Sequence, residues 1–117
     1  MRTKNYYFKE MHARGRLYRF ENRDGHIVGI LGYVLTNNPE KILRSHDIWS
    51  LPPEDYDGEF IYLDRLATDR KSNIFRGLKD LIRYFSRHYP GKTIIWHSRK
   101  TGTLKEIRNE NHSACFK

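Results

Sequence analysis

Cysteine is nearly missing from this chain. The only one is Cys115, so no intramolecular disulfide can form and no Cys-rich zinc site can be assembled. Long apolar runs are missing too. No stretch approaches the roughly 18 residues that mark a membrane-spanning helix. The opening run Met1-Arg-Thr-Lys-Asn-Tyr-Tyr-Phe-Lys lacks the apolar core of a secretory signal. The six histidines show no His-x-x-x-His or comparable ligand spacing, which argues against a structural metal. Repeats and low-complexity tracts do not occur. These absences exclude a membrane span and a disulfide scaffold, and make the cytoplasm the expected location.

What is present is one domain's worth of chain. At 117 residues, the expectation is a single domain over 1–117. The size and charge suit a bacterial or phage-encoded protein. Hydrophobic residues make up only 38%, but aromatics make up 14%, so Tyr, Phe and Trp must fill many core positions. That aromatic content argues against disorder, because disordered chains lack the residues whose burial offsets ordering entropy. The net charge of +8 is unevenly spread. Residues 37–64 hold two Lys/Arg against seven Asp/Glu, whereas residues 65–108 hold twelve against three. A basic block beside an acidic one suggests an anion-binding face, with a polyanion or a phosphorylated cofactor as its partner. The competing reading is a solvated surface that keeps a small protein soluble.

Hydrophobic periodicity predicts the elements. Tyr7, Phe8 and Met11 have the spacing of a short helix within 3–13. Residues 16–21 alternate and end in Asn22-Arg-Asp-Gly25, a hairpin signal that leads into an apolar strand over 27–35. Gly29 and Gly32 inside that strand suggest a bulge or a close backbone approach. Asn38 and Pro39 open a short helix to about Arg44, and residues 45–58 read as a loop. A strand over 59–67 follows. In the longest helix Ile74, Leu78, Leu81, Ile82 and Phe85 form one apolar face, and Pro90-Gly91 stops it. Residues 93–97 are a strand and 104–108 a last strand. The class is α/β (α+β): one mixed, mostly antiparallel sheet, one long amphipathic helix and short flanking helices.

A few residues carry chemistry. Asp64 lies in the apolar strand Phe60-Ile-Tyr-Leu-Asp-Arg-Leu-Ala, where a carboxylate can serve as base or orienter, or can pair with a nearby Arg or Lys. By alternation Phe60, Tyr62 and Asp64 share one face. Tyr62 is then either a proton donor to a leaving thiolate or a core tyrosine. His97 ends the next strand and can stand beside Asp64 across the sheet, as a base suited to amine deprotonation or as a structural residue. His46-Asp47 is the one adjacent His-Asp pair, a weak signal in a loop. Trp49 and Trp96 can stack on bases or fill the core. Lys92, Arg99, Lys100, Lys105 and Arg108 surround one hairpin, which can track a phosphate backbone or simply protect a sheet edge from aggregation.

The order of these segments resembles a GNAT-type acyltransferase. The more specific likeness is to the bacterial toxin-activating lysine acyltransferases, a GNAT-like family. It rests on four segments across 18–108: Tyr18-Arg-Phe-Glu-Asn-Arg-Asp-Gly-His-Ile-Val-Gly, Ile61-Tyr-Leu-Asp-Arg-Leu-Ala, Tyr84-Phe-Ser-Arg-His-Tyr-Pro and Thr93-Ile-Ile-Trp-His-Ser-Arg-Lys-Thr-Gly-Thr-Leu-Lys. The resemblance implies transfer of an acyl group from a thioester carrier to an amine, normally a protein lysine. It implies a thioester arm entering between two splayed central strands. In that family a strand Asp works with an upstream His. The Asp corresponds to Asp64, and the nearest upstream histidine here is His12. GNAT enzymes hold a pyrophosphate on a glycine-rich loop before the long helix. The matching segment here lacks close glycines but offers Arg70, Lys71, Ser72 and Asn73. The donor is therefore acyl-CoA or an acyl carrier protein, the latter docking on Arg70, Lys71, Arg76, Lys79 and Arg83.

Two functions from different classes follow. One is a small N-acyltransferase with Asp64, His97 and Tyr62 as catalytic residues, acting on a protein lysine or a small-molecule amine. The other is a non-catalytic protein of the same shape that binds nucleic acid or a partner protein through its basic C-terminal half. A variant of the second blocks a partner through the acidic loop 45–58.

Overall fold

A computed structural model of the chain describes residues 3–44, 49–69, 77–97 and 104–108. Its elements are α1 (Lys4–Ala13), β1 (Leu17–Glu21), β2 (Ile27–Thr36), α2 (Pro39–Arg44), β3 (Phe60–Thr68), α3 (Leu78–His88), β4 (Thr93–His97) and β5 (Leu104–Arg108). The class is α+β. The five strands form one sheet in the order β1-β2-β3-β4-β5, antiparallel except for the β3/β4 pair.

Local chemistry sets the element ends. The Thr3 hydroxyl accepts from the Tyr6 N–H at 3.1 Å and caps α1, the standard use of Thr at a helix start. In the β1/β2 turn, Asn22 Oδ1 accepts from the N–H groups of Asp24 and His26, while Gly25 takes φ of +81°. That left-handed position is the reason Asp-Gly reads as a turn. Asn38 Oδ1 accepts from the Lys41 N–H at the start of α2. The α3 helix closes where the Tyr89 N–H bonds to the Phe85 carbonyl, just before Pro90.

The sheet buries both faces. On one, α3 packs Leu81, Ile82 and Phe85 onto Phe20, Leu31, Tyr33, Leu35, Ile61 and Ile94. On the other, α1 packs Tyr7, Phe8 and Met11 onto Val34, Tyr62 and Ile95, with Ile42 of α2 and Trp49 beside them. Both tryptophans fill core positions, since Trp96 packs on the α3 side. Ile74, expected on the long helix, lies outside the described residues.

The segment after α2 is pinned to the end of β2. Asp55 N–H bonds to the Leu35 carbonyl, Asp55 Oδ2 accepts from Asn37 N–H, and Glu54 Oε2 accepts from Leu35 N–H. Glu54 also takes the Arg16 Nε–H at 2.5 Å, with both side chains largely buried. Arg16 reaches on to the Tyr89 hydroxyl, which meets the Tyr33 hydroxyl at 2.9 Å. Of the acidic residues in the loop read as a docking surface, Glu54 is thus turned inward, while Asp55 stays exposed and bonds to the end of β2.

Candidate functional site

Two features of the sheet converge on Asp64. The first is a β-bulge. Gly32 pairs with Arg65 and Tyr33 with Leu63, so Asp64 stands opposite no residue of β2. Such an extra residue is freed from the ladder, and bulges commonly re-aim a side chain in this way. The second is Gly32 itself. A Cβ there would lie 2.9 Å from Tyr7 Cζ and 3.0 Å from Cε1, so only glycine lets the Tyr7 ring lie across β2. The suspected close approach in this strand is real, and what approaches is a side chain from α1.

Tyr7 crosses that gap to donate its hydroxyl to Asp64 Oδ2 at 2.6 Å. The ring is fully buried and is held by Phe8 at 4.9 Å and Trp49 at 5.8 Å between centroids. Burial first, and the Asp64 carboxyl second, push the Tyr7 pKa well above the ordinary tyrosine value. Tyr62 lies on the same face, as alternation predicts, and is almost fully buried. Its pKa is pushed up to about 12 by burial and then by Asp64. Both phenols therefore stay protonated near neutrality and are donors there.

His97 is the last residue of β4. The parallel register runs from Phe60↔Thr93 to Leu63↔Trp96, which puts His97 level with Asp64, and its ring centroid is 6.4 Å from that of Tyr62. The sheet thus brings Asp64, Tyr62 and His97 together. It also brings Tyr7 and Arg65, which sequence reasoning did not single out. The available signal for Tyr7 was the glycine inside an apolar strand; for Arg65 there was none, because a bulge leaves no mark on an alternation pattern. His12, the upstream histidine, lies on the exposed side of α1, where its Nδ1 is 3.1 Å from an Arg19 guanidinium nitrogen. The residue by which α1 reaches Asp64 is Tyr7.

Two buried nitrogens in this region, Arg65 Nε and His97 Nδ1, have no hydrogen-bond partner among the described residues. Leaving a buried polar group unpaired costs about 1–3 kcal/mol. Beyond Leu63↔Trp96, β3 continues to Thr68 while β4 ends at His97, so on the β4 side the last residues of β3 pair with no described strand.

Arg70, Lys71, Ser72 and Asn73, the expected cofactor-binding residues, lie outside the described residues, as do Arg76, Arg99, Lys100 and the His46-Asp47 pair. Lys79 and Arg83 are exposed on α3. Lys92 is not a free surface cation: its ammonium donates to the Gly58 carbonyl at 2.5 Å and ties β4 to the loop before β3. Among the described residues no three His, Cys, Asp or Glu side chains gather as a metal site, and no helix is long and apolar enough to cross a membrane.

A separate surface groove of about 220 Å³ is lined by Tyr18, Asp80, Arg83, Tyr84, Arg87 and His88. Its rings are close-set, Tyr18 to Tyr84 at 5.2 Å and Tyr84 to His88 at 4.3 Å. No family model matches this chain, and no curated protein matches it.

Proposed function

We propose that this chain is a small GNAT-like N-acyltransferase that moves an acyl group from a thioester carrier, coenzyme A or an acyl carrier protein, to an amine, with a protein lysine as acceptor. The observation that carries the reading is the placement of Asp64: in a bulge, gripped by Tyr7, and level with His97 where the parallel strands stop pairing. The segment resemblance described above supports the same reading. Asp64 takes the proton from the attacking amine. Tyr7 fixes the carboxyl rotamer by donating its hydroxyl to Oδ2. His97 is the secondary base, and Tyr62, still protonated near neutrality, supplies the proton to the departing thiolate. Much of the acceleration comes from holding amine and thioester together.

The test is thiol release from an acyl thioester in the presence of an amine. Asp64→Ala should slow the reaction by about 10²–10⁴-fold, the usual worth of a positioned acid or base. Equal rates in the wild type and a folded Asp64→Ala would overturn the proposal. Melting with saturating donor gives a second check, because ligand at a hundred times its Kd stabilises by about 2.7 kcal/mol.

One observation favours a second reading, a non-catalytic binder of nucleic acid. The groove on α3 sets Tyr18, Tyr84 and His88 beside Arg83 and Arg87, the mixture of rings and cations that holds single strands. Binding of a short oligonucleotide that weakens steeply with salt and survives Asp64→Ala would select it.

A further inference from the structure

The face around Asp64 holds two nitrogens that the tyrosine–aspartate pair does not use. Arg65 is Asp64's neighbour in the bulge. Its register partner is Gly32, whose Cβ position faces Tyr7, so the Arg65 side chain leaves the sheet on the α1 side as well. Its charge is felt there, opposing the upward pKa shifts of both Tyr7 and Tyr62. In a regular strand, residues 64 and 65 would point to opposite faces. The bulge instead sends a carboxyl and a guanidinium to the same one.

Arg65 Nε is buried and lacks a partner among the described residues, and so does His97 Nδ1 on the adjoining strand. A guanidinium Nε–H can only donate, so what it lacks is an acceptor oxygen. His97 Nδ1 donates as well in the tautomer that carries its proton there. Both nitrogens belong to the parallel β3/β4 pair, at the level where its pairing ends.

We infer that Arg65 Nε–H, with His97 Nδ1 on the adjoining strand, receives the carbonyl oxygen of the acyl donor; this rests on the acyl-transfer reading above. The amine lone pair attacks the thioester carbon, and the C=O electron pair moves onto oxygen, where Arg65 faces the new negative charge. Collapse re-forms C=O and breaks the C–S bond. The amine proton goes to Asp64, and the sulfur leaves with the bonding pair and takes a proton from Tyr62. The two bulge residues divide the reaction: Asp64 handles the proton and Arg65 the oxygen. A cationic donor aimed at developing charge in a water-poor site is among the strongest catalytic devices available.

The test follows the Arg65 Nε–H signal by NMR in the full chain, identified by its loss in Arg65→Lys. The probes are acetyl-pantetheine, whose arm is common to coenzyme A and carrier proteins, and S-ethyl-pantetheine, which lacks the carbonyl. The signal should move with the thioester and stay with the thioether. Movement with both, or a still signal while amides around Asp64 respond, overturns the inference and leaves the acyl-donor reading standing. No response anywhere to either probe removes both. Kinetics provide a second arm. Arg65→Gln should lower kcat by about 10²–10³-fold with KM within about twofold, the pattern of a contact made in the transition state. Arg65→Lys should recover part of that loss, because it keeps a cation. A folded Arg65→Gln or Arg65→Lys with unchanged kcat overturns the inference.

Discussion

Gly32→Ala tests whether the site is built as described. The added Cβ would press on the Tyr7 hydroxyl, with Cζ at 2.9 Å and Cε1 at 3.0 Å. The ring cannot swing aside, because Tyr7 is fully buried between Phe8 and Trp49. Overpacking of this kind costs about 1–3 kcal/mol. Displacing the ring also breaks the 2.6 Å bond to Asp64, worth about 1 kcal/mol. Against this, Ala in place of Gly in a strand returns about 0.5–1 kcal/mol of backbone entropy. The net loss should be about 1–3.5 kcal/mol, or about 4–14 °C in Tm for a chain of this size. Gly29 is the internal control. A Cβ there meets Thr68 Cγ2 at 3.3 Å and Phe20 Cδ2 at 3.4 Å, and the exposed Thr68 can give way. Gly29→Ala should therefore be near neutral. The assay is thermal or urea unfolding of both variants, alone and in a Tyr7→Leu background. Shortening Tyr7 vacates the space, so Gly32→Ala should keep only its backbone gain of about 0.5–1 kcal/mol there, giving a coupling of about 2–4 kcal/mol. Strict additivity of Tyr7→Leu and Gly32→Ala would refute the argument.

Other outcomes follow from the same geometry. Glu54→Ala strands the largely buried Arg16 guanidinium and removes the acceptor of Leu35 N–H; unfolding experiments should show a loss of about 3–5 kcal/mol, as for a broken buried pair. Tyr7, Tyr33 and Tyr62 all have pKa values raised by burial. The folded state therefore keeps their protons above pH 10 while the unfolded state loses them, so stability is full below pH 10 and falls as pH rises beyond it. The fall should be at most about 1.4 kcal/mol per pH unit per tyrosine, and Tyr62→Phe should flatten the slope between pH 10 and 12. On α3, Arg83→Ala with Arg87→Ala should leave acyl transfer from a pantetheine thioester unchanged, while any oligonucleotide affinity of the protein should drop and its salt slope should fall by about two.

The elements were legible because each rests on local chemistry. Asn22 and Gly25 make the turn with their own atoms, and Tyr7, Phe8 and Met11 repeat at helical spacing whatever they pack against. The same holds for the shared face of Phe60, Tyr62 and Asp64, and for His97 on the next strand. The contact that grips Asp64 was not legible. An Asp in an apolar strand suggests a charged partner, and the hydroxyl that bonds to it lies 57 positions away in sequence. That pairing depends on α1 crossing the sheet over one particular glycine, which only the assembled fold specifies. Arg65 was hidden for a different reason. Periodicity assigns it to the face opposite Asp64, and the bulge reverses the assignment without changing a residue.

The three departures from a regular sheet at this point depend on one another. Without the bulge, Asp64 would continue the ladder opposite β2, and Arg65 would point to the α3 side. Without Gly32, the Tyr7 ring could not lie over β2 to reach the carboxyl that the bulge frees. Without Tyr7, the helix would bury only Phe8 and Met11, and Asp64 would lose the hydroxyl that orients it. Each alone is a defect: a gap in the ladder, a missing side chain, a phenol buried with its polar end inward. Packing has no use for a half-buried carboxyl, guanidinium and imidazole on the sheet face that carries Val34, Ile95 and Tyr62. The acyl-transfer site proposed above gives these three costs at one place a common reason, which is why variants at Gly32, Tyr7 and Arg65 should be read for activity and stability together.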